Sequence, residues 1–252
     1  MTDDPSDTLS AEIARVRGWL ADATGVVVLT GSGISAESRI PTFRDNMEGL
    51  WAEFDPQKLA TPEAFDADPE LVTRWYDMRR VKCLEAEPNP GHTALAEMQR
   101  QVAARGGSFT LLTQNVDGLH QRAGSTGVVE LHGSITAWRG VRTARPFDLP
   151  HGPMDVFPPT FDDGEFARPG VVWFGENLPE DAIAAAYGAI ESCDLFFTIG
   201  TSSVVYPAAG FVDIASARGA KTVEINPAAT PATTSVDAVL AAKAGEALPR
   251  LV

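Results

Sequence analysis

The sequence predicts an α/β fold built on a parallel sheet, and three observations carry that expectation. Short apolar, β-branched runs recur at 26–29, 109–112, 128–131, 195–199 and 222–225, and each reads as a strand buried on both faces. Stretches of helical periodicity lie between several of them, at 9–23, 69–87, 92–104, 179–192 and 207–218, an alternation that favours parallel pairing through helical crossovers. Polar residues and glycines crowd the points where the apolar runs end, which is where open α/β sheets bind ligands.

Taken in order, the first run leads into Gly31-Ser32-Gly33-Ile34-Ser35-Ala36, a G-x-G-x-x-A turn whose glycines would let backbone N–H groups approach a pyrophosphate; a tight turn without a ligand is the plainer reading. An ordinary dinucleotide unit would continue into a long helix and a strand ending in an acid about twenty residues on. Here Pro41 intervenes and Phe43-Arg44-Asp45 follows, which counts against a simple dehydrogenase. The second run ends in Thr113-Gln114-Asn115-Val116-Asp117-Gly118-Leu119-His120, and the third in Glu130-Leu131-His132-Gly133. An imidazole before a glycine at a strand end can approach a substrate hydroxyl, and its ordinary pKa of roughly 6.5 suits a general base; a histidine that merely caps the turn is the alternative. The segment 135–168, rich in Pro, Gly and Asp, reads as a small subdomain or long loop excursion, followed at once by strand-like Val171-Val172-Trp173-Phe174. The last two runs end in Gly200-Thr201-Ser202-Ser203 and Glu224-Ile225-Asn226-Pro227, suited to adenosine hydroxyls and equally to ordinary turns. His92 opens a helix and reads as structural, and Trp19, Trp51 and Trp75 read as core.

With 252 residues, 44% hydrophobic and 21% charged, the chain has the composition of a soluble globular protein and can bury a sizeable core. Its net charge of −14 disfavours nucleic acid and anionic membrane and would welcome a basic peptide, although acidity for solubility alone explains it equally. The cysteines, Cys83 and Cys193, read as buried and inert. They are too few for a four-thiolate zinc site, an all-thiolate iron–sulfur cluster or a disulfide framework, so a reducing cytoplasm is the expected compartment. The acidic start is unlike a secretory signal and no apolar run approaches the ~18 residues of a membrane span, so neither export nor insertion is expected.

Gly31-Ser32-Gly33-Ile34-Ser35, Pro41-Thr42-Phe43-Arg44, Thr113 to His120, Leu131-His132-Gly133, Val171-Val172-Trp173-Phe174-Gly175-Glu176, Gly200-Thr201-Ser202 and Glu224-Ile225-Asn226 follow one another in the order and spacing of the sirtuin family. The resemblance spans about 26–227. It implies one catalytic domain over 1–252, with a Rossmann-like core from about 8–40, 90–134 and 175–252 and a small subdomain from about 41–89 and 135–170. It also implies an NAD-dependent protein-lysine deacylase in which the acyl oxygen attacks C1′ of the nicotinamide ribose. His132 would be general base on the ribose hydroxyls. Gln114, Asn115 and Asp117 would hold ribose and nicotinamide, with Asn115 and Asp117 counted in the catalytic set. Phe43 would exclude water, and Arg44 would steady phosphate or ribose. Gly31, Ser32, Gly33, Gly200, Thr201, Ser202 and Asn226 would hold pyrophosphate and adenosine. Val171 to Phe174, Trp173 included, would pair as a strand with an acylated-lysine peptide. NAD glycohydrolase or ADP-ribosyltransferase activity, and a non-catalytic NAD sensor, are the rival readings.

The sequence departs from the family pattern at Ser32, where Ala is usual, at Arg39, where Gly is common, and at the zinc-binding cysteine pairs. Gly140 and Thr143 stand at the first pair, with Thr160 and Asp163 near the second, so no zinc is expected. His151, Asp155, Asp162 and Asp163 read as solvated loop residues rather than metal ligands. Trp138, Phe147, Phe157 and Phe161 are expected to hold the subdomain instead. Tyr76 and Arg79, on one face of a helix, and Ala60 upstream match the sirtuin subgroup that removes succinyl and malonyl groups. Without that match, Arg79 would belong to a solvated basic face with Arg74 and Arg80, and Tyr76 to the core.

Overall fold

The protein, as a computed structural model, is described over residues 5–40 and 55–252, so Phe43, Arg44 and Trp51 lie outside the described residues. Its helices are α1 (Pro5–Asp22), α2 (Pro56–Leu59), α3 (Pro62–Ala67), α4 (Pro69–Glu85), α5 (Pro90–Ala104), α6 (Leu119–Arg122), α7 (Glu180–Glu191), α8 (Phe211–Ala217) and α9 (Ala244–Ala247). Its strands are β1 (Gly25–Thr30), β2 (Ser108–Thr113), β3 (Val129–Glu130), β4 (Gly133–Gly140), β5 (Pro146–Phe147), β6 (Ala167–Val171), β7 (Leu195–Ile199), β8 (Lys221–Ile225) and β9 (Ala238–Leu240).

The larger sheet is six-stranded in the order β3-β2-β1-β7-β8-β9, with parallel pairs throughout. Strands β1 and β7 are buried along their whole length, which explains their unbroken apolar runs. Alternate residues serve opposite faces. Val26 and Val28 join Leu111, Phe197, Ile13, Val16, Leu95 and Met98 on one side. Val27 and Leu29 join Leu112, Phe196, Ile190 and Phe211 on the other. This is the Rossmann-like sheet that the sequence predicts.

The element edges shift for local reasons. Helix α5 begins at Pro90 rather than 92 because Asn89 caps it: its side chain accepts from Gly91 N–H, and the Asn89 N–H donates to His92 Nδ1. The stretch expected to be helical over 207–218 divides into a 3₁₀ turn, Ala208–Gly210, and α8. The third apolar run pairs only over Val129–Glu130, and the short β9 and α9 carry no periodicity that could announce them. Trp75 is fully buried, whereas Trp19 is a half-buried flank of the core beneath Arg15 and Lys221. Cys83 and Cys193 are buried, and burial pushes their thiols up to about 12 and about 11. No helix among the described residues is long and apolar enough to cross a membrane.

The second sheet, β5-β4-β6, is antiparallel and three-stranded. It lies in the segment expected to be a small subdomain or long loop excursion, and a register shift between Ser134 and Trp138 obscures its alternation in the sequence. The strand read at 171–174 ends at Val171. This sheet shares a core with α3 and α4: Phe65, Val72, Trp75, Tyr76, Ile135, Trp138, Val171 and Trp173, flanked by partly buried Phe147, Phe157 and Phe161.

Charged groups finish what the aromatic residues begin. Arg80, 2% exposed, bonds Asp77 and the carbonyls of Pro150 and Gly152, while Asp77 accepts the Met154 N–H. At the far end the Glu165 carboxylate accepts the N–H groups of Arg142 (2.7 Å) and Thr143 (2.8 Å) and the Thr143 hydroxyl (2.8 Å). Burial would raise the Glu165 carboxyl, but these donors outweigh it and hold the group below the usual carboxylate range.

Candidate active site

Because the larger sheet is parallel, the carboxyl ends of its strands meet along one edge, and the order reverses beside β1, where β2 and β7 run on either side. There Gly31 N–H donates to Ile199 O (3.0 Å) and Gly33 N–H to Gly200 O (2.7 Å). A Cβ on Gly33 would lie 2.7 Å from the Gly200 Cα, and one on Gly31 2.8 Å from the Thr201 Cα, so only glycine permits this approach. Two 3₁₀ turns follow instead of a long helix, leaving Ser32 exposed. Arg39 closes the second at φ 62, the left-handed conformation that glycine adopts at least cost.

Neighbouring strand ends add polar side chains. Gln114 Nε2 donates to Thr201 Oγ1 (3.0 Å), and Asn226 Nδ2 donates to Thr201 O (2.8 Å). The buried Glu224 carboxylate accepts the hydroxyls of Thr230 and Thr233 and so shapes the loop after β8, while Ser202 is half-buried beside Thr201. Close glycine backbones beside a row of amide and hydroxyl groups fit a dinucleotide.

Behind them lies a buried network. Asn115 Nδ2 donates to Gly31 O and Ser35 Oγ (both 3.1 Å), and Ser35 Oγ donates to Asp117 Oδ2 (2.8 Å). Burial raises the Asp117 carboxyl against the opposing bonds from Leu119 N–H and Ser35. His92 and His120 stack edge to face at 4.9 Å, and His120 Nε2 lies 2.9 Å from Thr30 Oγ1. Burial pushes His92 down to about 4 and, helped by His92, His120 down to about 3, so both are neutral at pH 7. Ser35 ties this network to the strand-end residues; its place in the glycine-rich turn is the only sequence signal for it.

His132 stands apart from this buried pair, at the joint between β3 and β4. Its Nδ1 lies 3.0 Å from Gln114 O, which can only accept, so Nδ1 carries the proton and Nε2 keeps a lone pair. Burial lowers its pKa against that bond, leaving the imidazole neutral and basic near pH 7.

Val172 N–H donates to His132 O (2.9 Å) and Phe174 N–H to Ala60 O (2.9 Å). These donors are thus spent inside the protein, and Phe174 sits at a turn rather than in a strand. The Trp173 ring lies 6.3 Å from Tyr76, and the half-buried Arg79 guanidinium lies 4.6 Å above Trp75 and 5.8 Å above Tyr76. The solvated basic face is not formed: Arg80 is buried on Asp77, and only Arg74 is exposed, paired with Glu70. Ala60 and Tyr76 therefore meet the segment that also touches His132, while Arg79 lies beside Tyr76 on its own helix. Nothing in the sequence singles out Arg168, whose partners come from the turn that follows it.

A Rossmann-like sheet with a polar switch point and an inserted antiparallel sheet defines a nucleotide-binding α/β protein. Residues 31–207 match the Sir2 family. An NAD-dependent protein deacylase of Thermus thermophilus is 51% identical over 223 residues, covering 88% of this chain and 86% of the relative. Another, of Methylococcus capsulatus, is 47% identical over 241 residues, with 92% and 93% covered. The crystal structure of a Sir2 homologue–NAD complex matches with a TM-score of 0.88 at 44% identity, covering 94% of this chain and 91% of that one. The chain belongs to the Sir2 family.

Proposed function

We propose that the protein removes acyl groups from protein lysine side chains with consumption of NAD, yielding nicotinamide and O-acyl-ADP-ribose. The observation that carries this reading is His132, held by Gln114 O with a basic Nε2 at the joint between the two sheets. NAD, when bound, supplies the ribose carbon that accepts the acyl oxygen and the hydroxyls that a base deprotonates. His132 takes that proton. Gln114, Asn115 and Asp117 orient ribose and amide, while Gly31, Ser32, Gly33, Gly200, Thr201, Ser202 and Asn226 hold pyrophosphate and adenosine. Phe43 and Arg44 are assigned to water exclusion and phosphate on the sequence alone.

Succinyl and malonyl groups are the favoured substrates. Arg79 offers a planar cation beside Tyr76, and Tyr76, whose hydroxyl burial pushes up to about 12, stays a donor; Tyr76 packs near Trp173, and Ala60 bonds the next residue, Phe174. The subdomain is proposed to be built without zinc, because the residues at the family's cysteine positions do not fit it: a Cβ on Gly140 would lie 2.7 Å from Glu165 Oε1, so a carboxylate occupies that corner.

Mass spectrometry of succinyl-, malonyl- and acetyl-lysine peptides incubated with protein and NAD tests the reading. O-acyl-ADP-ribose is expected, with the higher kcat/KM on acidic acyl groups. Arg79→Met should raise KM for succinyl peptide about tenfold or more, the effect of losing a charge-assisted pair, with little change for acetyl peptide. Free ADP-ribose alone would favour glycohydrolase activity, no product a sensor, and equal losses on both peptides would remove the acyl preference.

A further inference from the structure

Residues 168–176 are closed by one ion pair. Arg168 Nη1 donates to Glu176 Oε1 (2.6 Å), and Nη2 donates to Glu176 Oε2 (2.9 Å) and Val171 O (3.0 Å). The guanidinium carbon lies 3.2 Å from the centre of the Trp173 ring. Glu176 Oε2 also accepts the Trp173 N–H (2.8 Å), while Glu176 N–H donates to Trp173 O (3.0 Å), closing a turn with Gly175 at φ 89. The Arg168 side chain is 9% exposed and that of Glu176 25%. Burial would raise the Glu176 carboxyl, but Arg168 and the Trp173 N–H outweigh it and hold it below the usual range, so Glu176 is a carboxylate at pH 7.

This turn reaches three parts of the site: His132 through Val172 N–H, Ala60 through Phe174 N–H, and Tyr76 through the Trp173 ring. The N–H groups of 172, 173, 174 and 176 are all spent inside the protein. A peptide laid along the turn is therefore positioned by the turn's shape rather than by these donors. The ion pair, with the indole stacked on its cation, sets that shape.

We propose that Arg168 and Glu176 are positioning residues that fix the acyl-lysine against His132, acting through the 171–175 turn and touching neither substrate. The proposal rests on the deacylase reading and adds to it a coupling role: misalignment lets water rather than the acyl oxygen capture the activated ribose.

The test compares wild type with Arg168→Gln, Arg168→Lys, Glu176→Gln and the exchanged pair Arg168→Glu/Glu176→Arg. Steady-state kinetics on an acyl-lysine peptide and NAD, peptide and NAD affinities by calorimetry, and the ratio of nicotinamide released to O-acyl-ADP-ribose formed are the readouts. In Arg168→Gln and Glu176→Gln, peptide KM and Kd should rise about tenfold while NAD affinity stays within about twofold, and the product ratio should climb above that of wild type. Arg168→Lys and the exchanged pair should recover part of each. Glu176→Gln is isosteric and keeps an acceptor for Trp173 N–H, so it probes the charge without emptying the turn. Unchanged peptide affinity and product ratio, or equal losses of NAD and peptide affinity, would overturn the proposal. Wild type that forms no O-acyl-ADP-ribose would overturn the deacylase reading, and peptide affinity across the variants would still decide the positioning role.

Discussion

The two sheets are stabilised in different ways. In the larger one, Val, Leu, Ile and Phe side chains of β1 and β7 are covered on both faces, and polar groups gather at the strand ends, those of the candidate site at the carboxyl ends. Its stability is spread over many buried apolar side chains, each contributing roughly 1.5 to 3 kcal/mol. The smaller sheet has one apolar face, and its turns are held at Glu165 and at Asp77–Arg80 by a few charge-assisted bonds. Polar groups in the first region line the candidate site and brace it, whereas those in the second carry only the architecture of the turns. His132 lies at the joint, between the fully buried Leu131 and Gly133, whose φ is 72 and whose Cβ would collide with Gly170 O.

The largest break in this picture is expected at the joint. His132→Ala should lower kcat by roughly 10² to 10⁴ while calorimetry finds NAD affinity largely kept, because a base is lost and no main NAD contact. Loss of both together would contradict the assignment. Since the neutral imidazole is the active form and its pKa is depressed, kcat/KM should fall only on the acid side of the ordinary value of 6.5; an acid limb above that value would contradict it.

Arg80→Met should cost about 3–5 kcal/mol in thermal or denaturant unfolding, since it leaves Asp77 charged and buried without its partner. Hydrogen exchange should place the first loss of protection in 150–154, and uniform loss across β1 and β7 would erase the contrast between the regions.

Acid weakens both regions, but in different windows. His92 and His120 are neutral in the fold with pKa values of about 4 and about 3, below their ordinary 6.5, so core stability falls as pH drops from 6.5 toward those values. The Glu165 carboxyl is also depressed; its contribution is complete above its unfolded value and lost as pH falls through the folded one. Exchange measured along a pH titration should show the core weakening before the 140–168 turns do, and the reverse order would refute this division. Arg39→Gly should stabilise by roughly 1 kcal/mol, because it relieves a left-handed residue; a lower melting temperature would show that the arginine side chain outweighs the strain. The smallest effect is expected from strong chelators, which should leave melting of the subdomain unchanged. Stoichiometric zinc by elemental analysis, with unfolding on chelation, would defeat the zinc-free proposal.

The parallel sheet was legible in the sequence because a strand buried on both faces must be apolar throughout, as in 26–29 and 195–199, and the edge that holds the site followed because parallel strands end on one side. Strand-end residues such as Gly31, Gln114, His132 and Asn226 could therefore be picked out with no coordinates. The antiparallel sheet was not legible, since a bulge breaks its period and turns of Pro, Gly and Asp conceal its strands. Only the tertiary structure decided what Glu165, Arg80 and Arg168 do. Besides the side chains of Asp77, Thr143 and Glu176, their partners are backbone N–H and carbonyl groups at 142 and 143, 150 and 152, and 171. Every residue carries a carbonyl and all but proline an N–H, so no side-chain pattern can encode which of them a buried charge will meet. The sequence by itself determined what is periodic or chemically distinctive, and the fold alone determined which turns these charges hold in place.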